Sequence, residues 1–344
     1  AWPAPLQDVS SEATRRFELA HPEEVEFYAY LQWEADRQLA AAGERGARAG
    51  LGLGLYLDLA LGASPDGSEV WTSPADYAHG ANAGSPPDDF NLRGQDWGLP
   101  PLVPRAMREN GYARFAHTLR ANMRRAGAIR IDHVMQLMRL FWVPRGAEPT
   151  GGAYVHYPLD DLIGVLSLES QRNECLVVGE DLGTVPDEVR KALAPAGVLS
   201  YRVLYFEREE DGSFKARVRY PRQALATVSN HDLPTFAGYW SARDIDTRED
   251  VGAFPTESWP DEQRRQRAED RAQLLGALRE QGLLGPFAGG EEVSEGPTPE
   301  EVSTAAHRYV ASTPSELLTV QLEDVSEDLD QVNLPGTSEQ EHPN

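Results

Sequence analysis

The sequence predicts an α/β fold in which a parallel sheet is covered by helices. Three observations carry this reading. Short, almost wholly apolar runs recur along the 344 residues, helix-like segments separate them, and acidic residues stand at three of the run ends. Apolar runs are the pattern of strands buried on both faces. Their alternation with helices implies right-handed βαβ units. The C-terminal edge of such a sheet is where active sites form in parallel sheets and barrels.

Residues 22–48 read as one long helix, with Phe27, Leu31, Trp33 and Leu39 spaced through a stretch rich in Ala, Glu, Gln and Arg. Gly50-Leu51-Gly52 stops it. Residues 51–61 are apolar almost throughout and read as a buried strand. Further strands are expected at 128–133, 175–181, 201–206, 224–228 and 317–323, and helices near 105–126, 158–172, 186–194 and 261–282. Two insertions interrupt the alternation. Residues 62–104 are rich in Gly, Pro and Asp; residues 236–300 are helical and then acidic, with a loop from Gly285 to Glu301. The tail 322–344 lacks periodicity and reads as an ordered loop cut short or a disordered end. The whole chain, 1–344, is expected to be one catalytic portion carrying these two insertions.

The chain holds 32 Lys and Arg against 55 Asp and Glu, a formal net charge of −23. Such a surface repels phosphate backbones and anionic lipid, so neither nucleic acid nor a membrane is an expected partner. Apolar residues make up 40%, enough for a sizeable core, and none of their runs approaches the roughly 18 residues of a membrane span. The one cysteine, Cys175, cannot form an internal disulfide, which fits a cytoplasmic location. The start at Ala1 and the end at Asn344 without a closing helix suggest a piece of a longer protein.

Asp132-His133, Glu180-Asp181 and His231-Asp232 fall at or just past strand ends. Several acids on one sheet edge suit glycosyl transfer, since retaining cleavage of a glycosidic bond needs two carboxyl groups about 5–5.5 Å apart. Asp132 and Glu180, on neighbouring strands, are the candidate pair. Period-two alternation puts Arg130 on the same side as Asp132, where a guanidinium would hold the carboxylate ionised and aim it. Glu180 must begin protonated, which burial or nearby carboxylates would favour. Asp232 is a third acid. His133 and His231 keep a second reading open, because Asp-His and His-Asp pairs at strand ends also suit a metal-dependent hydrolase; Arg130 beside Asp132 argues against a cation there. Trp71, Trp97, Trp142 and Trp240 are core candidates, but Trp97 lies in the turn-rich segment Gly94-Gln95-Asp96-Trp97-Gly98-Leu99-Pro100 and is the best candidate for a platform under a sugar ring.

These residues also match a family. Ile129-Arg130-Ile131-Asp132-His133 resembles the strand-four motif of the α-amylase superfamily, and Ser229-Asn230-His231-Asp232 its strand-seven motif. Val178-Gly179-Glu180-Asp181-Leu182-Gly183 resembles the strand-five motif in the form used by amylomaltases. Ser85-Pro86-Pro87-Asp88-Asp89-Phe90 with Gly94 to Pro100 resembles the amylomaltase loop, and Asn333-Leu334-Pro335-Gly336-Thr337 also matches. Leu55 to Ala60 and His231-Asp232-Leu233-Pro234-Thr235 resemble the bacterial branch with an extra N-terminal region. The resemblance covers residues 25–344 and is to the 4-α-glucanotransferases, glycoside hydrolase family 77.

The resemblance implies a (β/α)8 barrel, here incomplete and holding strands three to eight, and no required metal or organic cofactor. It implies Asp132 as nucleophile, Glu180 as acid/base and Asp232 as transition-state stabiliser. Arg130, His133, His231, Asp58, Gln95, Trp97 and Asp181 are implied at the substrate, which would be maltooligosaccharides, α-1,4-glucans and glucose. At strand seven the chain reads Asn-His-Asp-Leu-Pro-Thr where the shorter amylomaltases read Thr-His-Asp-Asn-Asp-Thr, and it lacks their Pro-Ile-Tyr at strand three. An α-glucan hydrolase with the same acids and a non-catalytic glucan-binding remnant are the remaining alternatives.

Overall fold

The computed structural model describes residues 3–87, 93–183, 185–285, 296–335, 337 and 342. Asp88, Asp89 and Phe90, residues 286–295 of the expected acidic loop, Gly336, Pro343 and Asn344 lie outside the described residues. The chain divides into two compact units, Ala1–Leu199 and Ser200–Asn344.

The first unit contains strands β1 (Tyr56–Leu59), β2 (Ala81–Ser85), β3 (Gln95–Asp96), β4 (Ala128–Ile131), β5 (Arg139–Pro144), β6 (Ala153–His156) and β7 (Leu176–Gly179). Its helices are α1 (Glu12–Ala20), α2 (Pro22–Arg48), α3 (Ser68–Thr72), α4 (Pro104–Glu109), α5 (Ala113–Met123), α6 (Leu159–Asn173) and α7 (Asp187–Leu193). Helix α2 starts with Pro22 at its first position and carries Glu23 and Glu24 in the first turn and Arg45 and Arg48 in the last, each charge complementing the helix dipole. The helix expected over 105–126 breaks in two, because Gly111 (φ 64°) and Tyr112 (φ 61°) adopt left-handed backbone between α4 and α5.

Strands β1, β4 and β7 pair in parallel. Leu57, Ile129 and Val177 stand in one row, and Asp58, Arg130 and Val178 in the next. Successive side chains alternate between faces. The first row packs against the helices, with Ile129, Ile131 and Val177 joining Leu119 and Met123 of α5, Leu162 and Leu166 of α6, and Val189 and Leu193 of α7 in one core. The second row faces the opposite side, and that side carries the polar groups. The apolar run 51–61 is a strand only at Tyr56–Leu59, and it is less buried than expected: among the described residues β1 pairs with β4 alone. Gly50 and Gly54, both at positive φ, turn the chain before it.

A second, antiparallel sheet in this unit runs β3-β2-β5-β6. The sequence reading had no place for it. Gly84 of β2 is required there, since a Cβ would lie 2.1 Å from the carbonyl oxygen of Gln95.

In the second unit, β8 (Leu199–Val203), β9 (Ala224–Thr227) and β10 (Leu317–Leu318) pair in parallel in that order. Its helices are α8 (Phe236–Ser241), α9 (Arg243–Asp250), α10 (Trp259–Glu280), α11 (Pro299–Ala311) and α12 (Leu322–Ser326). Phe236, Ile245, Leu274, Leu278, Val302 and Tyr309 are buried, and a buried ion pair joins Arg267 to Asp244 at 2.7 Å. Thr298 and Glu301 form a capping box at the start of α11. The strand expected over 317–323 ends at Leu318. Gln321 begins a helix instead, whose first turn carries Glu323 and Asp324, residues that suit a helix N-terminus. Among the described residues no helix is long and apolar enough to cross a membrane.

Candidate active site

In the first unit the site grows from the polar row of the parallel sheet. Arg130 is central to it. Its Nη1 donates to both carboxylate oxygens of Asp58, at 2.8 and 2.7 Å, and its Nη2 lies 2.9 Å from Oδ1 of Asp132. Asp58 and Arg130 are register partners on β1 and β4, and Asp132 follows Arg130 by two residues, so all three project from one face. Burial works against the guanidinium's charge, but Asp132 and then Asp58 outweigh it and hold its pKa above the ordinary value. A fixed cation thus bridges the two carboxylates and aims Asp132.

Ile131 pairs with Gly179, so Asp132 and Glu180 are the next pair along, one strand spacing apart and on the same face. That spacing is about 4.8 Å at the backbone, within reach of the separation retaining cleavage needs. Glu180 is 8% exposed. Its Oε2 accepts from the His133 N–H at 2.9 Å and its Oε1 from the Leu182 N–H at 2.7 Å. Burial pushes its pKa up to about 7; the Asp132 charge adds to this, while the two N–H donors and Arg130 oppose it without overturning it. A carboxyl balanced there can give and take a proton near neutrality.

The backbone around Glu180 is built to that end. His133 adopts left-handed backbone (φ 48°), uncommon for a residue with a side chain, and this turn aims its N–H at Glu180. Val134 then lies against the end of β7, where a Cβ on Gly179 would meet it at 2.9–3.1 Å. Only glycine leaves that space. The surroundings of the His133 ring push its pKa down to about 4, so it is neutral at physiological pH. Its ring meets Trp97 edge-on at 5.4 Å.

Trp97 is half-buried. Its backbone N–H donates to Ala83 of β2, and its indole N–H donates to Oε1 of Gln95 at 2.6 Å. Gln95 thus fixes the indole in place. The other tryptophans have partners of their own: Trp71 donates to the Leu6 carbonyl, Trp142 to the Tyr157 hydroxyl, and Trp240 stacks on Phe236. Asp181 sits on the other side of the strand. It is 3% exposed and accepts from Arg190 Nε at 2.8 Å, because alternation sends it to the face opposite Glu180, toward α7.

In the second unit, His231 and Asp232 lie in the loop between β9 and α8, both half-buried. Nε2 of His231 is 3.1 Å from Oδ2 of Asp232, and Asn333 Nδ2 donates to Oδ1 at 2.7 Å. The Asp232 N–H donates to Oδ1 of Asn230. The tail packs here as a short helix followed by an ordered loop, the first of the two expected forms. Asp324, 4% exposed, accepts from Ser229 Oγ and from the Phe236 N–H, both at 2.6 Å, and so grips the loop at both ends. Asp324 had no signal in the sequence beyond its charge. Among the described residues no group of three or more His, Cys, Asp or Glu side chains is arranged to hold a metal ion. Cys175 is buried, with its thiol pushed up by burial to about 11.

The family model of glycoside hydrolase family 77, described as 4-alpha-glucanotransferase, matches residues 1–344. The 4-alpha-glucanotransferase of Haemophilus influenzae is 40% identical over 343 residues, covering 100% of this chain and 48% of that protein. The one from Mycobacterium tuberculosis is 41% identical over 349 residues, covering 100% of this chain and 46% of that protein. The chain therefore spans about half the length of the curated relatives it matches. The crystal structure of amylomaltase from Corynebacterium glutamicum superposes with a TM-score of 0.87 at 36% identity, over 94% of this chain and 46% of that one. Amylomaltase from Streptococcus agalactiae in complex with acarbose shares the fold, with a TM-score of 0.77 at 18% identity over 98% of this chain and 62% of that one. At this likeness the fold class is the expected one, α/β and part of a (β/α)8 barrel.

Proposed function

The chain belongs to glycoside hydrolase family 77, the 4-α-glucanotransferases, and from that premise we propose that it carries the catalytic residues for moving α-1,4-glucan segments to the 4-hydroxyl of an acceptor glucose or maltooligosaccharide. The single observation that carries the reading is the pairing of two unlike carboxyls. Asp132 is held by Arg130 at 2.9 Å, and Glu180 beside it is kept protonated to about pH 7 by burial. Environments that push two neighbouring acids apart assign one as nucleophile and the other as acid.

In the proposed cycle Glu180 protonates the bridging oxygen while Asp132 attacks the anomeric carbon. The C–O bond breaks, the shortened glucan leaves, and a β-linked glucosyl-aspartate remains. Glu180, now ionised, takes the proton from the 4-hydroxyl of the incoming sugar, whose oxygen displaces Asp132 and restores the α-1,4 bond. Asp232 of the second unit is assigned the stabiliser's role by the resemblance, with His231 beside it. Arg130, Asp58 and His133 support the reacting carboxyls, and Trp97, fixed by Gln95, offers a face for a sugar ring. The cycle calls on no metal or organic cofactor. A cytoplasmic setting in starch or glycogen metabolism fits the single buried cysteine and this substrate class.

The test is incubation with maltotriose and separation of products by length, for this chain and for a version extended to the length of its relatives. An Asp132→Asn variant is the control. Longer maltooligosaccharides plus glucose, absent in the control, support transfer. Glucose and maltose alone would mean that water takes the intermediate and would replace transferase with hydrolase. Silence from both versions would overturn the proposal.

A further inference from the structure

The second unit holds its acid from the far end of the sequence. Asn333 is 101 positions beyond Asp232, yet its Nδ2 lies 2.7 Å from Oδ1 of that carboxylate. An amide nitrogen can only donate and an ionised carboxylate can only accept, so the contact favours the charged form of Asp232 and fixes its rotation. Asn333 is itself held at two further points. Its backbone N–H donates to the carbonyl of His231 at 3.0 Å, and its carbonyl accepts from Nε2 of the buried Gln331 at 2.6 Å. Asn333 therefore spans His231 and Asp232 with both its backbone and its side chain.

The rest of the tail makes the same connection. Asp324 binds Ser229 and Phe236 on either side of the loop, and the Thr235 hydroxyl donates to the carbonyl of Asp328 at 2.5 Å. A Cβ on Gly238 would lie 2.4 Å from the carbonyl oxygen of Leu329, so loop and tail are in close contact there as well. His307 of α11 lies 3.5 Å from Asp324 and backs the clamp. His231 lies 3.1 Å from one oxygen of Asp232, and Asn333 donates to the other.

We propose that Asn333 is a positioning residue for Asp232, holding that carboxylate ionised and in one orientation, with residues 321–333 as the arm that carries it. This rests on the reading of Asp232 as a group the transfer reaction needs. Asn333 acts through the carboxylate, and no sugar contact is assigned to it.

Two variants test it in the full chain. Asn333→Ala removes the side-chain donor and keeps the backbone N–H. Asn333→Asp keeps the shape but sets two carboxylates against each other, which share one proton until the pH is high enough to remove it. Selective 13C labelling of Asp carboxyls follows Asp232 by NMR, with Asp232→Asn used to assign its signal. The Asp232 titration is expected to move up by about one pH unit in Asn333→Ala, where a stabilising donor is lost, and further in Asn333→Asp. Maltotriose transfer is expected to fall on the order of tenfold to a hundredfold in kcat in Asn333→Ala, with KM little changed, as for a lost hydrogen bond to a charged group. In Asn333→Asp the loss should deepen as pH rises, because the shared proton that replaces the amide donor is then released. A merely structural role would lower both variants equally at every pH. An unmoved Asp232 titration, or wild-type kcat and pH profile in both variants, would overturn the proposal. Full transfer activity in Asp232→Asn would instead overturn the functional reading, and the titration would still decide the Asn333 contact.

Discussion

Replacing Glu180 with glutamine keeps the size and shape of the side chain and removes its titration. The carboxyl's ordinary pKa is 4.5, and burial lifts it to about 7 in the folded chain. The fold therefore holds that proton about 300-fold more tightly than the unfolded chain does, equivalent to about 3 kcal/mol. The sign follows. Below 4.5 the group is protonated in both states, and its contribution to stability is fully present. As pH rises the unfolded chain ionises first, so stability falls, and the loss is complete above about 7. Glutamine has no such dependence. It does lose one acceptor, because the N–H groups of His133 and Leu182 both point at this carboxyl. That cost is about 1–3 kcal/mol and the same at every pH. The diagnostic is therefore the slope of the difference and not its absolute value. Urea unfolding of both proteins from about pH 4 to about pH 8.5 should show the variant gaining about 3 kcal/mol relative to wild type across that range. A difference that stays flat with pH would show that Glu180 titrates normally, and the assignment of the acid would fall with it.

Three further outcomes are expected. Arg130→Lys keeps the charge but cannot span Asp58 and Asp132 at once, so kcat for maltotriose transfer should drop on the order of a hundredfold, with far-UV circular dichroism unchanged; an unaltered kcat would remove Arg130 from the account. Gly179→Ala places a Cβ against Val134 at 2.9–3.1 Å, and should destabilise the chain by about 1–3 kcal/mol in urea unfolding, with Val134→Ala in the same chain restoring part of the loss. An absence of rescue would place the strain elsewhere. Trp97→Ala should raise KM for the acceptor on the order of tenfold, and Gln95→Ala, which frees the indole N–H now held at 2.6 Å, should raise it less; equal effects, or none, would deny Trp97 its part as a platform.

Much of the first unit's site is legible in the sequence because the rules behind it are local. Alternation along one strand places Arg130 with Asp132, and parallel pairing in register carries Asp58 and Glu180 to the same face. The same alternation sends Asp181 to the opposite face, where Arg190 meets it, so its place there had a signal in the sequence. The antiparallel sheet did not. Its strands are separated by residues 97–138, and β5 and β6 follow a short helical turn that hides their period. Nor did the clamp on the loop after β9: Asp324 and Asn333 lie 95 and 101 positions from the partners they hold, and no local pattern marks them. The run 51–61 misleads for a related reason. Apolar composition reports what a strand tolerates, while its exposure depends on its neighbours, and among the described residues β1 has one.

The most direct measurement is of the covalent bond itself. Incubating the Glu180→Gln variant with α-glucosyl fluoride supplies a leaving group that needs no acid, while release of the glucosyl group is slowed for want of the base. The account predicts a stable protein adduct of one glucosyl group, mapped by peptide mass spectrometry to Asp132. No adduct, or one mapped to another carboxylate, would contradict it.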